Sequence, residues 1–287
     1  MKDLSNENIV HVNKNGIEYI QFRKLLEYPN INHALTLKPL NFEGFSTYEK
    51  NKEKITREYQ KICDILNIDY KNICRPKQTH TSNVRSVEDG DEGIYNPKYT
   101  DVDGLVTNKS NKALVVAFAD CMPLLFFDPV RNVIANTHSG WRGTVALIGK
   151  ETVEKMIKDY ECNPKDIICC IGPTIRQCHF KVDEDVKDIF YNQFKDKIQI
   201  EKYITNKNKE FENELTECME RRLNSSENKY YIDTVEINKQ VLLKMGLKEE
   251  NIIDSKICTV CEEKQIHSYR AHGKKAGRNI SIIEKIK

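Results

Sequence analysis

Apolar residues recur along this chain with two periods, and the switches between them mark its elements. Two alternating runs, 9–12 and 17–22, flank Asn15-Gly16, the signal of a two-residue hairpin. Ile55, Tyr59, Ile62 and Leu66 return at helical spacing and predict a helix. Residues 113–119, 123–127 and 132–136 are short apolar runs, broken by Asp120-Cys121 and Asp128-Pro129, as expected of strands buried on both faces. Ser139-Gly140-Trp141-Arg142-Gly143-Thr144 follows. An amphipathic helix then carries Val145, Ile148, Val153, Met156 and Ile157, with Thr144 as its expected N-cap. Another buried strand, 167–171, stops at Gly172-Pro173. Helices are predicted over 183–194 and over 233–245, the second capped by Asp233 and stopped by Gly246. The stretch 279–283 alternates and reads as a closing strand. Residues 197–229 are rich in charge and helix formers and poor in large apolar groups, which predicts a solvated helical insertion rather than a linker. Strands and helices mix throughout with no repeat or boundary between them, so the expectation is a single α+β domain over 1–287.

Composition narrows the class of function. Charged residues make up 31% of the chain and the apolar set 39%, the balance of a folded globular protein. With 45 basic and 43 acidic side chains the formal net charge is +2, which gives no reason to expect nucleic-acid or membrane binding. The polar, acidic start does not have the pattern of a secretory leader, and no apolar run approaches the ~20 residues that cross a bilayer. The expected location is therefore the cytoplasm, where the ten cysteines are reduced thiols or metal ligands rather than disulfides.

Of the seven histidines, two sit in settings suited to chemistry. His80 lies in a polar stretch, Pro-Lys-Gln-Thr-His-Thr, and His138 ends a buried strand just before the Gly-Trp-Arg-Gly turn. Cys121 occupies the break between two buried strands. Two imidazoles and a thiolate suit zinc, and a fourth position left to water is the pattern of a catalytic site. Their intervals match no compact metal motif. Cys258-Thr259-Val260-Cys261 has zinc half-site or redox spacing, but no second cysteine pair at a suitable spacing accompanies it, so structural cysteines are the default reading. His179 is assigned no role.

Several strings resemble one family in order: Gln78-Thr79-His80, Asp103-Gly104-Leu105-Val106-Thr107, Ala119-Asp120-Cys121-Met122-Pro123 and His138-Ser139-Gly140-Trp141-Arg142-Gly143-Thr144. Gly172-Pro173-Thr174-Ile175, Asp233 with Asn238, Cys258-Thr259, Ser268-Tyr269-Arg270 and Gly277-Arg278 continue the match. The chain thus resembles the laccase-domain (polyphenol oxidase type) proteins, regarded as purine nucleoside phosphorylases. The resemblance implies strands stacked in two mixed sheets, a sandwich-like core flanked by helices. It implies zinc held by His80, Cys121 and His138, with copper as second choice, and these three as the catalytic residues. It also implies phosphorolysis of adenosine, inosine and methylthioadenosine, together with adenosine deamination. Departures fall in pocket-lining segments: Phe180-Lys181 replaces the family's Tyr-Glu, and Ile266-His267-Ser268-Tyr269-Arg270-Ala271 replaces Phe-Phe-Ser-Tyr-Arg-Arg.

On the substrate side the expected residues are Gln78, Asp120, Arg142 and Arg270. Arg142, beside His138 and a helix start, is read as the phosphate site, with Arg270 and Arg278 next in line. Asp120 is read either as the orienting partner of a metal-bound histidine or as the cap of the strand break. Trp141 is read as packing under its turn in preference to stacking on a nucleobase. Two other functions compete with nucleoside chemistry. One is a copper oxidase of phenols, although Met122 adjoins Cys121 in an extended segment and should face the opposite way. The other is a cysteine hydrolase or deamidase, with Cys121 as nucleophile and His138 as its base.

Overall fold

The computed structural model describes residues 2–42, 45–206 and 229–286. Strands β1 (Ile9–Lys14) and β2 (Ile17–Phe22) form the expected hairpin. Asn15 and Gly16 take φ of 54° and 77°, the left-handed pair that such a turn requires. β3 (Ile31–Thr36) continues the sheet to β16 (Asn279–Lys285), β8 (Ala113–Phe118), β4 (Ile73–Arg75) and β6 (Gly93–Ile94). The order of this seven-stranded sheet is β1-β2-β3-β16-β8-β4-β6, so the closing strand lies at its centre. A six-stranded sheet runs β15 (Ile252–Asp254), β11 (Ile168–Ile171), β9 (Met122–Asp128), β10 (Val133–Ser139), β7 (Gly104–Thr107), β5 (Val84–Ser86).

The uninterrupted apolar runs are explained by burial on both faces. Leu114 and Phe118 of β8 meet Leu125 and Phe127 of β9 and Ile134 of β10 in the core between the sheets. The alternate residues Ala113, Val115 and Ala117 face helix α2 (Phe45–Leu66), whose Ile55, Tyr59, Ile62 and Leu66 cover the outer face of the larger sheet. Leu124 and Phe126 turn the other way, under Ile148, Val153 and Met156 of α4 (Ile148–Tyr160) and Val235 and Leu242 of α6 (Thr234–Lys244). The α+β sandwich therefore has helices on both outer faces. Asp233 caps α6 as expected, accepting from Glu236 N at 3.0 Å. A small third sheet of β12 (Lys181–Val182), β14 (Tyr230–Ile232) and β13 (Ile204–Thr205) packs with Phe190 and Phe194 of α5 (Glu184–Phe194).

Two expectations are corrected. Thr144 is not a cap: the chain forms a five-residue helix α3 (Trp141–Val145) with Gly140 as N-cap, then turns through Leu147 at φ 61° into α4. The Thr144 hydroxyl is buried and paired with Ser139 Oγ and Asn238 Nδ2, both at 3.0 Å, so tertiary partners outcompete capping. The insertion expected over 197–229 does not begin as solvated helix. Ile200 is buried among the α5 aromatics, and the stretch continues as a short 3-10 turn and β13. Residues 207–228 lie outside the described ones.

Glu284, buried on the central strand β16, has its pKa raised from 4.5 to about 7, chiefly by burial; the Asn72 side chain opposes the shift and the Asp69 charge adds to it. A carboxyl raised in the fold keeps a proton that the unfolded chain releases, so stability is lost as pH rises from about 4.5 to 7. Glu284→Gln should abolish this loss, which amounts to on the order of 2–3 kcal/mol. Urea midpoints at pH 4 and pH 8 should therefore differ less in the variant than in the parent. Equal pH dependence in both would contradict the assignment.

Candidate metal centre and its cavity

His138 lies near the end of β10 and shares a face with Ile134 and Asn136, the face turned toward the opposite sheet. Asn136 locks that face in place. Its Nδ2 donates to Leu114 O at 2.9 Å and Ser281 O at 3.0 Å, and its Oδ1 accepts from Ser281 Oγ at 2.8 Å. Cys121 follows Asp120, whose φ of 83° turns the chain between β8 and β9. His80, between β4 and β5, is also left-handed, at φ 66°.

One buried carboxylate gathers these pieces. Asp103 accepts from the backbone N–H groups of Thr79, His80 and Thr81 at 3.2, 3.1 and 2.7 Å, and from the Thr81 hydroxyl at 2.8 Å. It also pairs with His138 Nδ1 at 2.9 Å, while its own carbonyl accepts from His138 N at 2.7 Å. Burial alone would raise the Asp103 pKa, but His138 and the Thr81 donors outweigh it and hold it below the usual carboxylate range. With Nδ1 engaged, Nε2 remains as the available ring nitrogen of His138. This is the orienting role weighed for Asp120, and Asp103 fills it. Asp103 appeared in a matched string, but nothing local marks it as an orienter; the β7–β10 pairing brings it to His138.

His80, Cys121 and His138 each offer a ligand atom within 4.8 Å of the others. Cys121 Sγ lies 3.8 Å from His80 Nε2, and the two imidazoles meet edge to face at 5.0 Å between centroids. The spacing and donor types suit one tetrahedral metal ion with three protein ligands. Gly140 closes the underside. A Cβ there would stand 2.9 Å from His80 Cδ2 and 3.0 Å from Cys121 Sγ, so any side chain would push two of the three ligands aside. Burial pushes the Cys121 thiol up, but the neighbouring imidazoles, His138 first, overcome this and bring it down to about 6. For His138 burial acts downward, and Cys121 and Asp103 raise it to about 9. The thiolate form required of a ligand or a nucleophile is thus favoured at neutral pH.

The trio opens into a cavity of about 480 Å³. Gln78 lines it, with its amide clamped to both backbone groups of Ala117, at 2.9 Å from Nε2 to the carbonyl and 2.8 Å from Oε1 to the N–H. Asp120 lines it too, but its carboxylate accepts from the Thr259 hydroxyl at 2.6 Å and from Arg270 N, tethering two distant segments instead of a metal ligand. Arg270 and Arg278 reach the wall, along with the buried Arg75, whose guanidinium lies 4.4 Å from the Tyr95 ring centroid. Arg142 does not reach it. It is exposed, 4.3 Å over the Trp141 ring, and absent from the lining. Trp141 packs with the cluster around Phe190, and its remaining surface lines the cavity. Met122 sits in the core under α4, away from Cys121, as its position in an extended segment predicts.

The family model described as "Multi-copper polyphenol oxidoreductase laccase" matches residues 38–285. A Bacillus subtilis protein named purine nucleoside phosphorylase YlmD is 31% identical over 84% of this chain and 80% of its own length. A protein named adenosine deaminase RL5, from an unknown prokaryotic organism, is 28% identical over 76% of this chain and 77% of its own. The crystal structure of YlmD from Geobacillus stearothermophilus superposes with a TM-score of 0.81 at 22% identity, covering 100% of both chains, and so shares the fold.

Asp103→Asn should keep the sheets intact yet misplace His138, weakening metal affinity about 10- to 100-fold. Competition against a chromophoric chelator, with circular dichroism as the folding control, measures it. Parental affinity in a folded variant would show that His138 is oriented by something else.

Proposed function

The chain belongs to the multi-copper polyphenol oxidoreductase laccase family, and on that premise we propose that it is a zinc-dependent enzyme of purine nucleosides. The reading covers phosphorolysis of adenosine, inosine and methylthioadenosine to base and ribose 1-phosphate, with adenosine deamination beside it. It treats residues 1–287 as one domain working in the cytoplasm, and among the described residues no helix is long and apolar enough to cross a membrane. The names of the relatives support the substrate class. The observation that carries the reading is the lining of the cavity. His80, Cys121 and His138 stand at one wall, and Arg75, Arg270 and Arg278 also reach the cavity, which among its lining residues has Asp120 as sole carboxylate. Trp141, Phe180 and Tyr269 add aromatic faces. A flat base, a neutral sugar and an anionic phosphate match that set.

Zinc in the trio would supply Lewis acidity toward the base or the attacking water. The protein's own residues do the rest. Asp103 fixes the His138 tautomer, and the aromatic side chains hold the base. The arginines hold phosphate as the C1′–O bond forms and the bond from C1′ to the base breaks. Arg270 and Arg278 take the phosphate role in place of Arg142, which lies outside the cavity. The five-residue α3 is also too short to add much macrodipole.

A second reading has one observation in its favour: with the Cys121 thiol near 6 and His138 near 9, the two form a thiolate–imidazolium pair of the kind used by cysteine hydrolases. Removal of metal separates the two, since the zinc enzyme loses activity and a cysteine nucleophile keeps it. A copper oxidase is disfavoured because Met122, packed in the core, cannot serve as an axial ligand.

Product analysis tests the proposal. With phosphate, adenosine should give adenine and ribose 1-phosphate; without it, inosine; and chelation should stop both. Neither product from metal-loaded protein would overturn the reading. Replacing the phosphate-holding arginine, through Arg270→Ala or Arg278→Ala, deletes a charge-assisted contact worth about 1.5–3 kcal/mol, roughly ten- to a hundredfold in phosphorolysis. Deamination, which uses no phosphate, should fall much less, and Arg142→Ala should leave both rates near parental. Equal losses of both reactions in the two cavity variants would remove the phosphate role from Arg270 and Arg278.

A further inference from the structure

The Cys258-Thr259-Val260-Cys261 string, which looked partnerless along the chain, finds two partners in space. One ligand atom from each of Cys178, His179, Cys258 and Cys261 lies within 4.8 Å of all the others. His179 Nδ1 is 3.2 Å from Cys178 Sγ, 3.6 Å from Cys258 Sγ and 3.5 Å from Cys261 Sγ. Cys178 Sγ and Cys261 Sγ are 3.9 Å apart. A tetrahedral zinc ion with bonds of about 2.3 Å to sulfur and about 2.0–2.1 Å to nitrogen keeps its ligand atoms roughly 3.5–3.8 Å from one another. These separations, from 3.2 to 3.9 Å, bracket that range.

We propose that Cys178, His179, Cys258 and Cys261 form a second zinc site, structural rather than catalytic. Three thiolates and an imidazole fill all four positions and leave none for water or substrate, the mark of a structural centre. None of the four residues lines the cavity. They lie instead directly behind its wall. His179 precedes the lining residue Phe180, Thr174 bridges to Cys258, and the Thr259 hydroxyl donates to Asp120. Arg270 Nη1 donates to His179 O at 2.8 Å and Lys181 O at 3.2 Å. An ion there would staple the 174–182 stretch to the 256–261 stretch and so fix Phe180, Asp120 and Arg270. The sequence signal is weak because each half-site is only two residues, and the halves are separated by 79 positions between His179 and Cys258.

The test is metal content of the full chain, produced with zinc and purified under reducing conditions without chelator. The parent should hold about two zinc ions per chain, and Cys121→Ser and Cys261→Ser about one each. Cys261 is exposed, so its serine variant should fold. Cobalt(II) alone, loaded into Cys121→Ser, should give the intense visible and thiolate charge-transfer bands of a tetrahedral sulfur-rich centre, and adding Cys261→Ser should diminish them. A parent with one zinc ion that Cys121→Ser removes and Cys261→Ser does not would overturn the proposal. So would a Cys178–Cys261 disulfide in the reduced preparation. A single ion lost in Cys261→Ser but kept in Cys121→Ser would uphold this site while removing the catalytic one.

Discussion

A carboxylate buried between strand and loop is costly unless every lone pair is answered, and Asp103 turns that requirement into architecture. Its oxygens take three consecutive backbone N–H groups, a hydroxyl and an imidazole. Asp103 itself is fully buried, and stripping donors from its carboxylate would cost about 1–3 kcal/mol each, so the 79–81 loop has little freedom to leave. Holding His80 at φ 66° is one consequence, since that strained backbone is held by the N–H of the same residue. The placement of the His138 ring is another.

The sheets set the distances in which this interaction operates. Asp103 precedes β7, which pairs with β10 through Gly104 and Thr137, one residue before His138. A register slip of a single residue would turn His138 away from the cavity and toward α4. Register is defended by the inter-sheet bonds of Asn136 and, on the other face, by the Thr137–Thr152 hydroxyl pair at 3.0 Å. The chemistry thus sits at the open ends of strands whose middles are close-packed, and the cavity inherits their rigidity.

Local signals were legible in the sequence. The Asn15-Gly16 hairpin, the two-face-buried runs around 113–137, the Asp233 cap and the convergence of His80, Cys121 and His138 all depend on neighbours in the chain or on a matched motif. What failed depended on partners far away. Thr144 has the right residue type for a cap, but Asn238 and Ser139 claim its hydroxyl. Arg142 sits next to the right turn yet stacks on Trp141 outside the cavity. In the sequence Asp120 reads either as a histidine's partner or as the cap of the strand break, whereas the carboxylate that meets His138 is Asp103, which reaches it through strand pairing. The same limit hid the Cys178 and His179 partners of Cys258 and Cys261.

The most direct test of an Asp103-oriented metal trio is anomalous diffraction at the zinc absorption edge from crystals of the metal-loaded protein. An anomalous peak is expected about 2.0–2.1 Å from His80 Nε2 and His138 Nε2 and about 2.3 Å from Cys121 Sγ, with its fourth side open to the cavity and Asp103 still on His138 Nδ1. No peak at that position in zinc-saturated crystals, or a metal bound through His138 Nδ1 with Asp103 displaced, would contradict it.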